Sequence, residues 1–288
     1  MKRLLVKALK YTASAIGIVA VAYFFPILGT AFLLCGIWDV TRNRGLDLSV
    51  VKQYFLKNGI GTWMASPFNI LLDLLALPFV NKGVWQLEDF PKAYREEIES
   101  VLKSAGDADL LTRLEPFTKD KPRTMIFFKW YGQDVDNVID VPEFHEKFKY
   151  IRTIGVSVFK ERERTSRHFG PFRPTLRVLY VLNDIQNRGA YIKVGPVENY
   201  WMDKKLFIFD DTLLHQSFNE YDEPRYSMFI DILRPSYVPW VFDAAVAVIR
   251  LIFRSMNGIF YKNWKIVNPA EEPASPSADS TKSTAEAA

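Results

Sequence analysis

Two histidines and one arginine carry the chemistry this sequence can support. His168 and His215 stand 47 residues apart, each on or beside a stretch rich in β-branched and aromatic residues. Neutral imidazole is a common ligand of iron, zinc or copper; the plainer reading of each is a histidine satisfied within a core. Arg225 follows His215 by ten residues, and the turn signals of Asn219–Pro224 fold it back onto a neighbouring strand. A fixed guanidinium there could hold the far carboxylate of a small diacid bidentately while the diacid's other end meets the metal. As an ordinary residue it would simply begin a strand. Asp210 and Asp211 read as turn formers rather than ligands. Arg162, Arg164 and Arg167 read as a solvated loop, or as a contact for an anionic substrate or a lipid phosphate.

The elements that must position these residues are mostly strands. Thr124–Tyr131, Thr153–Lys160, Leu176–Asn183, Ala190–Gly195, Lys205–Asp210, Leu213–Asn219 and Arg225–Leu233 are short runs rich in β-branched and aromatic residues. Turn clusters separate them: Gly170-Pro171, Asn187-Arg188-Gly189, Gly195-Pro196 and Asp222-Glu223-Pro224. This spacing predicts a β-sandwich or jelly roll. Ahead of them, Tyr94, Ile98, Val101 and Leu102 form one stripe of a helix over Pro91–Ala105. Behind them, Val241, Ala244, Ala245, Val248, Leu251 and Ile252 recur at helical spacing within Val238–Tyr261. That helix is amphipathic and meets either a membrane or the domain's own core. The sequence holds no Gly-rich phosphate loop, no Gly-x-Ser-x-Gly elbow and no internal repeat.

Composition sets the outer limits. With 288 residues, 49 % of them apolar, the chain can bury a sizeable core. A net charge of only +4 argues against a dedicated nucleic-acid binder. The single cysteine, Cys35, leaves no internal disulfide and no cysteine-based zinc cluster. Tyr11–Trp38 is 28 residues without a charge, preceded by Lys2, Arg3, Lys7 and Lys10 and followed by Asp39, Arg42 and Arg44. About 20 apolar residues span a bilayer, so this run predicts a membrane segment, kinked or re-entrant at Pro26 and Gly29. Gly59–Val80, broken by Pro67, Asp73 and Pro78, predicts an interfacial stretch. The expected organisation is an N-terminal membrane segment (1–44), an apolar interfacial linker (45–84), a mainly β jelly-roll domain (85–237), an amphipathic helix (238–268) and a disordered tail (269–288).

Phe209-Asp210-Asp211-Thr212-Leu213-Leu214-His215, then Arg225, then Phe229-Ile230-Asp231-Ile232-Leu233-Arg234-Pro235 resembles the aspartyl/asparaginyl β-hydroxylase family. His168-Phe169-Gly170-Pro171 with Leu176-Arg177 matches the family's upstream part, so the resemblance covers about residues 85–235. It implies a double-stranded β-helix, cupin-like, that uses Fe(II), 2-oxoglutarate and O2. Carried over by position, His168 and His215 become the iron ligands. Arg225 with Ser157 becomes the clamp on the distal carboxylate of 2-oxoglutarate, and Arg177 a contact near its metal-bound end. Two positions depart from the pattern. Leu179 stands where the family usually has His, which removes a polar contact to the cosubstrate. Gly170 stands two residues after the first histidine, where many non-heme iron oxygenases carry their acid. The animal β-hydroxylase branch also has Gly there, whereas bacterial lipid A hydroxylases have Asp. Apolar segments on both sides of the domain resemble the layout of those lipid A hydroxylases. The resemblance therefore implies hydroxylation of an acyl chain of a membrane lipid, at an inner membrane, with the catalytic domain on the cytoplasmic side. The other implied functions are hydroxylation of Asp or Asn in a peptide, and a non-catalytic, membrane-bound binding module.

Overall fold

Burial along the last long strand sets the architecture. Every residue of Arg225–Leu233 is buried, so both faces of the strand are covered, odd positions by one layer and even positions by another. The computed structural model describes residues 12–13, 16–17, 19–20, 23–58, 60–79, 82–118, 123–170, 172–254 and 264–267. Its strands are β1 (Val84–Trp85), β2 (Arg123–Trp130), β3 (Gln133–Asp134), β4 (Ile151–Phe159), β5 (Glu163–Arg164), β6 (Thr175–Val181), β7 (Ala190–Val194), β8 (Val197–Tyr200), β9 (Leu206–Phe209), β10 (His215–Asn219), β11 (Arg225–Leu233) and β12 (Lys265–Ile266). The larger sheet runs β1-β9-β6-β11-β4-β2-β12, with β3 also on β2; the smaller runs β5-β10-β7-β8. Phe207, Phe209 and Val181 of the larger sheet meet Ala190, Ile192 and Val194 of the smaller. The result is a mainly β jelly roll, and every run read as a strand is one, with ends within two residues of those expected.

Seven α-helices with bounds among the described residues surround it. They are α1 (Pro26–Val40), α2 (Leu48–Lys52), α3 (Ile60–Met64), α4 (Ser66–Leu75), α5 (Lys92–Asp107), α6 (Leu110–Thr118) and α7 (Pro239–Arg254). Even positions of β11 face α5 and α6, so Met228, Ile230 and Ile232 share a core with Tyr94, Ile98 and Leu114. Burying each such side chain contributes ~1.5–3 kcal/mol. Helices α4 and α7 pack together at the end of β11, through Leu72, Ala76, Phe242, Ala245 and Val246 around Leu233. One face of α7 thus packs on the protein's own core, and Trp240, Val248 and Leu251 of the helix are exposed.

The membrane placement expected from the sequence is corrected by the structure. Among the described residues no helix is long and apolar enough to cross a membrane. Helix α1 starts afresh at Pro26, whose missing N–H suits a first helical turn. Its 15 residues rise only ~22 Å, against a hydrocarbon core of ~30 Å. Asp39, near its end, is buried in an ion pair with Arg173 instead of flanking a span. The membrane segment over 1–44, and the inner-membrane, cytoplasmic-side location that followed from it, are therefore withdrawn. Part of that run, residues 1–11 included, and the tail expected to be disordered over 269–288 lie outside the described residues.

Candidate active site

A slip of register brings the two histidines together. Strands β5 and β10 pair with Glu163 across from Asn219 and Arg164 across from Phe218. Continued unchanged, that register would set Arg167 across from His215. The slip sets His168 there instead, as an isolated antiparallel bridge. The main chains exchange hydrogen bonds, His168 N–H to the His215 carbonyl at 3.1 Å and His215 N–H to the His168 carbonyl at 2.9 Å. The ring centroids lie 4.3 Å apart. His168 Nδ1 donates to the Ser166 carbonyl at 2.6 Å and His215 Nδ1 to the Leu213 carbonyl at 2.8 Å. With Nδ1 donating, each Nε2 keeps its lone pair. Burial lowers both pKa values, that of His215 to well below the ordinary one. Two neutral imidazoles with open Nε2 atoms form a donor set for a first-row transition metal.

Arg225 lies one strand repeat from this pair. Ser217, two positions after His215 on β10, accepts from Arg225 Nη2 at 2.8 Å, and the Phe218 carbonyl accepts from Nη1 at 2.8 Å. Two residues of strand advance ~7 Å, the scale of a short dicarboxylate. Arg225 is 1 % exposed, and its guanidinium lies 4.4 Å from the Phe159 ring centroid and 5.7 Å from that of Trp201. Among the described residues no carboxylate pairs with it, and burial lowers its pKa to about 9. Its Nε has no hydrogen-bond partner, and neither has the Ser227 hydroxyl on the same face. Ser157 stands across from Ser227 on β4 and donates to the Ser227 carbonyl at 3.2 Å. It shares Arg225's face, but its hydrogen bond goes to the strand and not to the guanidinium.

Arg177 lies nearer the histidines. Asp231 on β11 grips it bidentately, at 2.8 Å to Nε and 3.1 Å to Nη2, and Asp211 lies 3.7 Å from Nη1. Burial opposes the Arg177 cation, yet Asp231 and Asp211 together hold its pKa above the ordinary value. Burial pushes the Asp211 carboxyl up to about 6. This carboxyl also explains Gly170: a Cβ there would stand 2.6 Å from Asp211 Oδ1. Among the described residues no group of three or more His, Cys, Asp or Glu is placed to hold a metal, so the two imidazoles are the donors in view. Leu179 faces the same layer, across from Phe207 of β9 on one side and Phe229 of β11 on the other.

An ion network behind His215 escaped the sequence reading altogether. Asp210 is fully buried, and its Oδ2 accepts from Arg42 at 2.6 Å and Arg234 at 2.9 Å. Its Oδ1 accepts from Thr212 N–H at 3.0 Å. Arg173 pairs with Asp39 and Asp73 and lies 4.0 Å from Asp210. Burial works against the Asp210 charge, but Arg234, Arg42 and Arg173 outweigh it and hold the carboxyl well below its usual range. The partners are separated by 24 to 168 residues, so no local spacing announces them.

Fold and site define a jelly-roll protein with a two-histidine centre and a buried arginine one strand repeat away. Residues 92–235, half of the chain, match the family model described as Aspartyl/Asparaginyl beta-hydroxylase, and the chain belongs to that family of hydroxylases. It is similar to the ornithine lipid ester-linked acyl 2-hydroxylase of Rhizobium tropici, 26 % identical over 161 residues. The match takes in 53 % of this chain and 57 % of that relative, so this chain spans little more than half of it. Among solved structures, similarity extends to a protein of Thermus thermophilus, with a TM-score of 0.29, 15 % identity, and coverage of 43 % of this chain and 95 % of that one. A prolyl-4-hydroxylase of Pseudomonas putida gives a TM-score of 0.24, 17 % identity, and coverage of 28 % and 50 %.

Proposed function

We propose that this protein is an Fe(II)- and 2-oxoglutarate-dependent dioxygenase that hydroxylates an acyl chain of a lipid. The observation that carries the reading is the Arg225 guanidinium, buried and without a carboxylate among the described residues. A buried charge is costly unless paired, and the far carboxylate of a bound diacid supplies the pair. The orphaned Arg225 Nε and Ser227 hydroxyl fit that carboxylate. The two neutral imidazoles fit Fe(II).

When bound, iron and 2-oxoglutarate supply oxidative decarboxylation of the keto acid by O2, coupled to hydroxylation of an unactivated C–H bond. The chain's own residues bind, orient and exclude water. His168 and His215 would hold the metal, their rings fixed through Nδ1 by the Ser166 and Leu213 carbonyls. Arg225 would hold the distal carboxylate, with Ser217 and Ser227 beside it and Ser157 behind Ser227. Arg177, kept charged by Asp231, would orient the end nearer the metal. Phe209, Phe229 and Leu179 form an apolar wall that keeps water out. An apolar Leu179 where the family usually has His favours an acyl chain, and the similarity to the Rhizobium tropici acyl 2-hydroxylase supports the same class.

Two measurements test this reading together: succinate release from 2-oxoglutarate, and mass spectrometry of host acyl lipids for the gain of one oxygen atom. Both signals are expected with the wild-type chain. Both should vanish in His168→Ala and His215→Ala variants whose circular dichroism remains native. Wild-type turnover in either variant would sink the metal assignment. Unchanged lipids alongside hydroxylation of an Asp- or Asn-containing peptide would assign the peptide substrate instead. Absence of turnover by the wild type would leave a binding module.

A further inference from the structure

We propose that the helical layer over residues 40–58 is the positioning frame of the histidine pair, with Asn43 and Asn58 setting where the two rings stand. The proposal rests on reading His168 and His215 as a metal pair. The frame lies outside residues 92–235, the part of the chain that matches the family.

Phe169 directly follows His168, and Leu214 directly precedes His215. Both side chains are buried in one cluster with Val40, Val50 and Tyr54 of the helical layer, and the Tyr54 ring meets Phe169 edge-on at 5.2 Å. Polar contacts then lock the backbone. Asn58 grips Phe169 at both ends, accepting from its N–H at 2.9 Å and donating to its carbonyl at 2.9 Å. Asn43 is 4 % exposed and accepts the Leu214 N–H at 2.9 Å, while its own amide donates to the Val40 carbonyl at 3.1 Å. Gln53 donates to the Arg167 carbonyl at 2.8 Å, one residue before His168.

Each histidine therefore has a chain neighbour pinned from the same side by the same layer. The two histidines are joined by an isolated bridge; His215 also sits in the β10–β7 ladder across from Val194, whereas His168 lies in no strand. Such a bridge cannot hold two rings in register alone, because strand pairs are stable only as part of a larger packed sheet. A metal binding to unpinned histidines would have to order both segments first, and that ordering weakens affinity. Asn43 and Asn58 are thus positioning residues that touch neither metal nor substrate.

Titration of the full-length, metal-free chain with Co(II), read by its visible absorption, tests this without turnover. Asn43→Ala and Asn58→Ala are each expected to weaken Co(II) binding about tenfold or more and to change the absorption band. Thermal melts of the metal-free proteins show whether each variant folds. If an alanine variant does not, Gln53→Ala decides, since it removes one partly exposed contact and is expected to weaken Co(II) binding a few-fold. Wild-type affinity and spectrum in the folded alanine variants, or in Gln53→Ala, would overturn the proposal. If wild type binds Co(II) no better than His168→Ala, the metal reading itself fails, and that outcome is distinct from intact wild-type binding with unaffected asparagine variants.

Discussion

At the scale of single residues, Arg225 is the most informative side chain. Its neighbours are a hydroxyl, a carbonyl and two aromatic rings, which stabilise a cation far less than a carboxylate does. On the proposed reading, Arg225→Ala removes a charge-assisted contact of ~1.5–3 kcal/mol. The expected outcome is 2-oxoglutarate binding weakened by roughly one to two decades, with metal affinity unchanged, as measured by calorimetry with each component. Unaltered cosubstrate affinity would remove Arg225 from the clamp. Gly170 and Asp211 make a second residue-scale point. A side chain at 170 would require Asp211 to move, because a Cβ there would stand 2.6 Å from Asp211 Oδ1 and 3.0 Å from its carbonyl oxygen, so the departure at 170 has a partner at 211 that linear comparison does not reveal.

At the scale of elements, the loop between β9 and β10 is held by charge. Asp210 binds Arg42 from the end of α1 and Arg234 from the end of β11, so one carboxylate ties helix, loop and strand together. Asp210→Asn leaves the buried Arg234 without its carboxylate, while Arg42 keeps Asp39 and Asp73, and is expected to cost ~3–5 kcal/mol, seen as a lower thermal midpoint at neutral pH. The pH dependence follows from the direction of the shift. The native carboxyl titrates below its unfolded value, so the unfolded state takes up the proton first. The stability from Asp210 is fully present above the unfolded value of about 4 and is lost as pH falls through the depressed native value. Melts of wild type should therefore fall steeply in acid, and melts of Asp210→Asn should fall less. Equal slopes would mean that the network does not act through Asp210.

At the scale of the whole molecule, the jelly roll and the helical layer are not separable parts. Removing residues 1–81 would uncover Phe169, Leu214 and Leu233, and would strip Arg173 of both Asp39 and Asp73. The family-matched span 92–235 is therefore expected to aggregate or stay unfolded when produced alone, by size exclusion and circular dichroism, although every strand of the smaller sheet lies within it. A folded monomer from that span would show that the helices are an accessory. Among the described residues no helix is long and apolar enough to cross a membrane, and apolar side chains of α1 such as Ile27, Leu34 and Trp38 stay exposed: a charge-free stretch marks apolar surface without saying what that surface meets.

The sequence by itself determined the secondary structure of the barrel and the short roster of chemistry. The strand over Arg225–Leu233 has the bounds its pattern predicts, because alternation and turn residues act over a few positions. His168, His215, Arg225, Arg177 and Ser157 were all legible as candidates from residue type, order and spacing. Tertiary structure alone decided the rest. The slip that sets His168 and not Arg167 across from His215 depends on how two strands dock. That no acid among the described residues pairs with Arg225 depends on everything packed around it. Asp210 forms its turn through Thr212 N–H as expected, and it is also the centre of an ion network because Arg42 reaches it from 168 residues away. Asp39 became a buried partner of Arg173 across 134 residues, which turned the end of an apparent membrane segment into part of the core. Local pattern reports what a few neighbouring residues prefer, whereas charge pairing, register and burial are properties of residues brought together only by the folded chain.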